Sequence, residues 1–132
     1  MRNIKDTLHY KWFTEVWNLG NKDAIDKLMA ADAIAHGIGD EGKVTGANQF
    51  KYFYEDFRKK YRNIHFELLD VISQDDMEAS LCKMTATDVA SGQPITLSGV
   101  AYTRNKNGQI VEGWNFFDFL SVYQQLGFTM TK

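Results

Sequence analysis

Asp118 stands in the run IVEGWNFFDFLSVYQQLG, residues 110 to 127, between Phe117 and Phe119 and close to Trp114 and Phe116. A carboxylate in such company either lies at the edge of a core or is buried, with its pKa raised toward the range suited to proton transfer. Strand alternation would put Glu112, Trp114, Phe116 and Asp118 on one face. If that face lines a pocket, Asp118 is an acid/base group. Where the run passes into FLSVYQQLG, Asp118 can equally cap a helix by accepting backbone N–H bonds. Both readings stay open at this level.

His36 follows Ala35 and precedes Gly37 at the head of a glycine-rich loop. It is a candidate acid, base or hydrogen-bond donor to a carbonyl, or else a rim histidine. His9 and His65 read as surface positions. Trp114, Phe116, Trp17, Phe13, Phe53, Phe57 and Tyr102 could wall a pocket for a small planar hydrophobic molecule, although helical and strand spacing explains each of them as core. Arg104 shares a strand face with Tyr102 and Val100 and could bind a ligand carboxylate. Asp88 is the other polar candidate, and both are also natural solvent residues. His36, Asp40 and Glu41 are too loosely spaced to argue for a metal, and none is expected. The single Cys82 rules out an intrachain disulfide and the multi-cysteine zinc sites. No phosphate loop, G-x-S-x-G or local Cys–His pair supports nucleophilic catalysis.

The elements that must position these residues fall into two halves. Leu8, Trp12, Phe13, Val16 and Trp17 recur at helical spacing from about Lys5 to Trp17, and the helix ends at Asn18 and Gly20. A second helix starts after Asn21, buries Ile25, Leu28 and Met29, and stops before Asp32. A short strand at Ala33 to His36 leads into the glycine-rich loop. A third helix, from about Ala47 to Lys60, carries Phe50, Phe53, Tyr54 and Phe57 on its buried stripe. After Asn63 the period changes to that of strands. HFELLDVISQ, MEASLCKMTATD, PITLSGVAYTRN and GQIVEGWNFFD form an antiparallel meander, with tight turns at Asp75-Asp76 and Asn107-Gly108. A last helix near Phe119 to Gln125 ends at Gly127. Helices followed by an antiparallel sheet imply an α+β domain with helices covering one face.

The chain of 132 residues is read as one domain, 1–132, because no linker or repeat divides it. A net charge of −2 offers no footprint for nucleic acid, and none is expected as a partner. The N-terminal MRNIKDTLHYKWF has charges at positions 2, 5 and 6 and lacks the apolar core of a signal peptide. No apolar run is long enough to cross a membrane. The expectation is a cytoplasmic protein without membrane contact.

EVWNLGNKDAIDKLMAADAIAHGI, the TG-x-x-x-F of Thr45 to Phe50, and the ending NGQIVEGWNFFDFLSVYQQLG resemble the SnoaL-like polyketide cyclases of the nuclear transport factor 2-like superfamily. The resemblance runs from about Thr14 to Gly127. It implies a cone-shaped α+β barrel, cystatin-like in type, with a deep pocket, paired as a homodimer through the outer face of its sheet. It also implies ring closure by intramolecular aldol condensation without metal or cofactor, with the carboxylate matching Asp118 as the acid/base group. Relatives often keep a histidine at the place of His36. Many carry Thr-His-x-Gly where this chain has Thr87-Asp88-Val89-Ala90, and a histidine where it has Gly113. The related ketosteroid isomerases place a tyrosine, a carboxylate base and a protonated Asp at positions that fall here on Phe13, on Gly37 or His36, and near Ala101, so their apparatus is missing. The function expected is cofactor-independent acid/base catalysis of cyclase, isomerase or hydrolase type on a small hydrophobic carbonyl compound. The alternative is a non-catalytic module of the same fold that binds a hydrophobic metabolite or serves dimerisation.

Overall fold

A computed structural model of the chain describes residues 3–131. After a short 3₁₀ turn at Ile4–Asp6, helix α1 (Leu8–Lys11) continues as a π-helical stretch, Trp12–Asn18, and is followed by α2 (Ala24–Leu28). Strand β1 (Met29–His36) and the short β2 (Lys43–Thr45) precede α3 (Ala47–Lys60). Four long strands follow: β3 (Tyr61–Gln74), β4 (Met77–Asp88), β5 (Pro94–Lys106) and β6 (Gln109–Phe117). Helix α4 (Phe119–Gln125) closes the chain of elements.

All six strands join one curved sheet in the order β2-β1-β6-β5-β4-β3. The meander from β3 to β6 is antiparallel, as the sequence pattern implies, and its turns fall at the anticipated residues, where Asp75 and Asn107 adopt positive φ. Three features lie outside the pattern. β1 begins at Met29 rather than Ala33, β2 adds an edge strand, and β1 runs parallel to β6. The first helix is also not one regular α-helix. Its wider π turn, sealed by Leu19 N–H donating to Thr14 O at 2.8 Å, keeps Trp12, Phe13, Val16 and Trp17 all buried.

One face of the sheet is covered by the helices and the other is left open. Alternation sorts the strands cleanly: Glu78, Ser80, Cys82, Met84 and Ala86 of β4 point to the helices, as do Ile95, Leu97, Ala101 and Thr103 of β5. Helix α3 lies on this face through Ala47, Phe50 and Tyr54, with Trp12 against Phe50 and Trp17 against Tyr54 at ring separations of 5.2 and 4.8 Å. Each large side chain so buried stabilises the fold by roughly 1.5–3 kcal/mol. Tyr54 also donates its hydroxyl to Val16 O at 2.7 Å, which ties α3 to the π turn. Asn18 then clamps that turn to β3, its amide donating to Phe66 O and accepting from Phe66 N–H.

Candidate functional site

The face that carries Glu112, Trp114 and Phe116 is a single face, but it is the open one. Gly113, Asn115 and Phe117 point inward instead, and Phe117 lies across Gly99 to meet Phe66. Tyr102, 41% exposed, packs on Trp114 at 5.6 Å, and Phe116 is 66% exposed. Trp114, Phe116 and Tyr102 therefore do not wall an interior pocket. Arg104 is on the same open face and pairs with Asp76 at 3.1 Å.

β6 ends at Phe117, one residue short of Asp118. The carboxylate is exposed and caps α4, with Oδ1 accepting from Ser121 N–H at 3.1 Å. This is the capping geometry that the sequence left open, and burial against Trp114 and Phe116 is absent. His36 sits on the open face too. Its ring stacks on Trp114 and its Nε2 meets Glu112 Oε2 at 2.8 Å, so the structure does not bring it together with Asp118. Asp88 is the last residue of β4, at the turn into β5, and its Oδ2 accepts from both the N–H and the hydroxyl of Ser91.

Phe13 and Trp17 do lie inside, but as packed core. Phe13 meets Phe66 at 4.7 Å, and Trp17 touches Phe50, Tyr54, Phe57 and Phe66. What remains of an interior chamber is about 40 Å³, lined by His9, Phe13, Ala35, Thr103, Gly113 and Asn115 among others. That is room for a water molecule or two, not for a planar metabolite.

His9 is not a surface residue: it is 1% exposed, and it anchors a chain of hydrogen bonds beneath α1. Thr103 donates its hydroxyl to Asn105 Oδ1 at 2.8 Å, so its oxygen accepts from His9 Nε2–H at 2.6 Å. That tautomer leaves His9 Nδ1 to accept from the Ser80 hydroxyl. Asn105 in turn donates to Glu78 Oε2, and Glu78 also accepts from the backbone N–H groups of Leu8 and His9 at 3.2 and 3.1 Å. Burial lowers the His9 pKa from 6.5 to about 4 against the opposing pull of Glu78, so the ring is neutral. Its place in the stripe of Trp12, Phe13 and Val16, at intervals of three, four and seven, was the signal in the sequence. Cys82 is likewise inert, its thiol pushed up to about 12 by burial.

A cleft of about 620 Å³ lies where α3, α4 and the β1–β2 loop converge. Phe53 and Phe57 enter from α3, Phe119 and Tyr123 from α4, and Ile38 from the loop. Phe57 meets Phe53, Tyr61 and Phe119 at 5.8, 4.9 and 6.0 Å. Asp40, Asp56, Lys59 and Lys60 supply a rim of both charges. Of the residues singled out in the sequence, Phe53 and Phe57 are here. Tyr61, Phe119 and Tyr123 were not among them, although Tyr61 continues the four-residue spacing of Phe53 and Phe57.

Tyr61 enters the cleft at the point where α3 becomes β3 with no intervening loop, its own N–H bonded to Phe57 O. The residue is only 7% exposed, and no described residue hydrogen-bonds its hydroxyl. No side-chain oxygen or nitrogen is both fully buried and unpartnered among the described residues, so this hydroxyl keeps solvent access in a residue that lines the cleft. Burial pushes its pKa above the ordinary phenol range, and Tyr123 and Asp88 add to the effect. A second depression, about 530 Å³, lies at the opposite end by the Asp75-Asp76 and Asn107-Gly108 turns, and is lined mostly by charges of both signs. Among the described residues, no cluster of three or more His, Cys, Asp or Glu could hold a metal ion, and no helix is long and apolar enough to cross a membrane.

A helix-covered, six-stranded sheet of this order is the ketosteroid isomerase-like, nuclear transport factor 2-like fold. It is similar to a candidate polyketide cyclase from Acidithiobacillus ferrooxidans (23% identity, 91% of this chain and 92% of that one, TM-score 0.78) and to IdmH, a candidate polyketide cyclase from Streptomyces antibioticus (19%, 96% and 100%, 0.81). A protein with a ketosteroid isomerase-like fold from Catenulispora acidiphila, in complex with trimethylamine, matches at 18% identity over 96% of this chain and 98% of that one, with a TM-score of 0.83. Residues 7–126 match the model of the SnoaL-like polyketide cyclases, and the chain belongs to that family. Comparison with curated proteins gives no match.

Proposed function

We propose that this chain binds a small hydrophobic carbonyl compound in the cleft between α3 and α4 and promotes proton transfer at the carbon next to the carbonyl. The observation that carries the reading is the cleft itself: about 620 Å³, within the range of small-molecule sites, with Ile38, Phe53, Phe57 and Phe119 as apolar walls. Membership of a family named for polyketide cyclases supports the chemistry. Asp118 immediately precedes Phe119 of the cleft wall and keeps Oδ2 outside the cap bond, so it is the carboxylate assigned to accept the proton. The C–H electron pair passes to the carbonyl oxygen as an enolate, and return of the proton, or attack of the enolate carbon on a second carbonyl, completes an isomerisation or a ring closure. No cofactor is assigned a part in these steps.

A binding module without turnover is the second reading, favoured by the exposure of Asp118 and its commitment to the cap. Incubation with 2-indanone in D₂O separates the two. Catalysis predicts deuterium entry at the carbons flanking the carbonyl above the buffer rate, lost in Asp118→Asn, whose amide oxygen preserves the cap. Binding without accelerated exchange leaves the module reading standing. A second copy of the chain is the proposed partner, through the open face where Ile72, Leu81, Tyr102 and Phe116 are exposed. A monomeric mass by light scattering at micromolar concentration would refute that assignment.

A further inference from the structure

We infer that Tyr61 is the specificity-determining donor of the cleft, holding the oxygen of a carbonyl or enol ligand with its phenolic hydroxyl. The inference rests on the cleft being the ligand site and adds what the cleft selects for. Buried polar groups are nearly always hydrogen-bonded, and a buried tyrosine normally finds a partner for its hydroxyl. Tyr54, on the same side of the sheet, does so with Val16 O at 2.7 Å. Tyr61 is comparably buried yet makes no such bond to any described residue, and its hydroxyl keeps solvent access in a residue that lines the cleft.

The residue is held at three points, one on its ring and two on its backbone. Phe57 packs on it at 4.9 Å, its backbone N–H is fixed by Phe57 O at the end of α3, and its strand position pairs with Asp88 of β4. A donor set on a helix–strand junction loses little freedom when it bonds a ligand, and that is what selects one functional group over another. Tyr123, from α4, lines the same cleft and is close enough to raise the pKa of Tyr61, after burial as the main cause. The phenol therefore stays protonated at neutral pH and donates. A ligand oxygen, as carbonyl or as the enolate formed from it, satisfies a donor that the protein leaves open, whereas a hydrocarbon of the same shape leaves it unpaired.

The test compares 2-indanone with indane, its hydrocarbon counterpart, by backbone NMR titration of the wild-type chain and of Tyr61→Phe. Removing a hydroxyl without a protein partner leaves the fold intact, and the variant's thermal midpoint is the check. The expected result is shifts at residues 37–40, in α3 and in α4, with Kd for 2-indanone about tenfold weaker in Tyr61→Phe and Kd for indane unchanged. If both probes bind in the cleft but Tyr61→Phe weakens neither, or weakens both equally, the donor role is overturned and the cleft stands. If neither probe shifts cleft residues, the cleft reading falls and the donor with it.

Discussion

His9 and Tyr61 are both buried titratable rings at the junction of a helix with the sheet, and they differ in one respect. Both nitrogens of His9 are taken, by Ser80 and Thr103, and the chain of bonds continues to Asn105 and Glu78 without an open group. Tyr61 has a buried ring and an accessible hydroxyl that no described residue bonds. The pKa values of both are displaced chiefly by burial, so displacement alone does not tell a structural group from a functional one. Satisfaction does. A closed network ties α1 to one end of the sheet, while at the other end Tyr61 keeps a hydroxyl without a protein partner in a residue that lines an apolar cleft.

The comparison breaks most readily at Glu78. Its carboxylate holds the first two N–H groups of α1 and the amide of Asn105, so Glu78→Ala is expected to cost about 3 kcal/mol in urea unfolding. Tyr61→Phe should change stability by less than about 0.5 kcal/mol, as for a group with no protein partner. Equal losses in the two variants would erase the distinction between the two ends.

Acid tests the same network through His9. The fold lowers its pKa from 6.5 to about 4, so between those values the unfolded chain binds a proton that the folded chain refuses. Stability from this group is complete above pH 6.5 and is lost as the pH falls toward 4, in total about 3 kcal/mol at ~1.4 kcal/mol per pKa unit. Unfolding measured at pH 7, 5.5 and 4 should show a steeper decline in the wild type than in His9→Gln. Parallel curves would mean that His9 is not held neutral.

The next expected effect is smaller than these losses and is a gain. Gly113 has no positive φ, and a Cβ there would meet Thr103 Cγ2 at an ordinary 3.5 Å, beside the 40 Å³ chamber. Gly113→Ala should stabilise the fold by about 0.5–1 kcal/mol and leave 2-indanone binding unaltered. Loss of ligand binding in this variant would move the ligand site from the outer cleft to the inner chamber.

Much of the fold was legible along the chain. Helix α3 falls on the interval read from its phenylalanines, and the meander has the turns marked by Asp75-Asp76 and Asn107-Gly108. The ending around Glu112, Trp114 and Asp118 pointed to the family that residues 7–126 match, although Gly113 departs from its pattern. The candidate site was less legible. Phe53 and Phe57 were singled out and line the cleft. His36, Trp114, Tyr102, Phe116 and Arg104 belong to the open face, and His9 is buried, in keeping with its spacing from Trp12, Phe13 and Val16 and against its reading as a surface position.

Periodicity is a property of the chain, so residue order alone settled where strands alternate, where helices carry a stripe, and that Glu112, Trp114 and Phe116 share a face. A period of two divides a strand into two faces without saying which one the helices cover. Only the packing of α1 and the π-helical stretch beside Gly113 and Asn115, with Phe117 turned inward onto Phe66, decided that. Asp118 became a helix cap because β6 stops one residue before it. The contrast between a satisfied His9 and an unmatched Tyr61 depends on partners some 70 to 94 residues away in the first case and on none in the second, which no local pattern records.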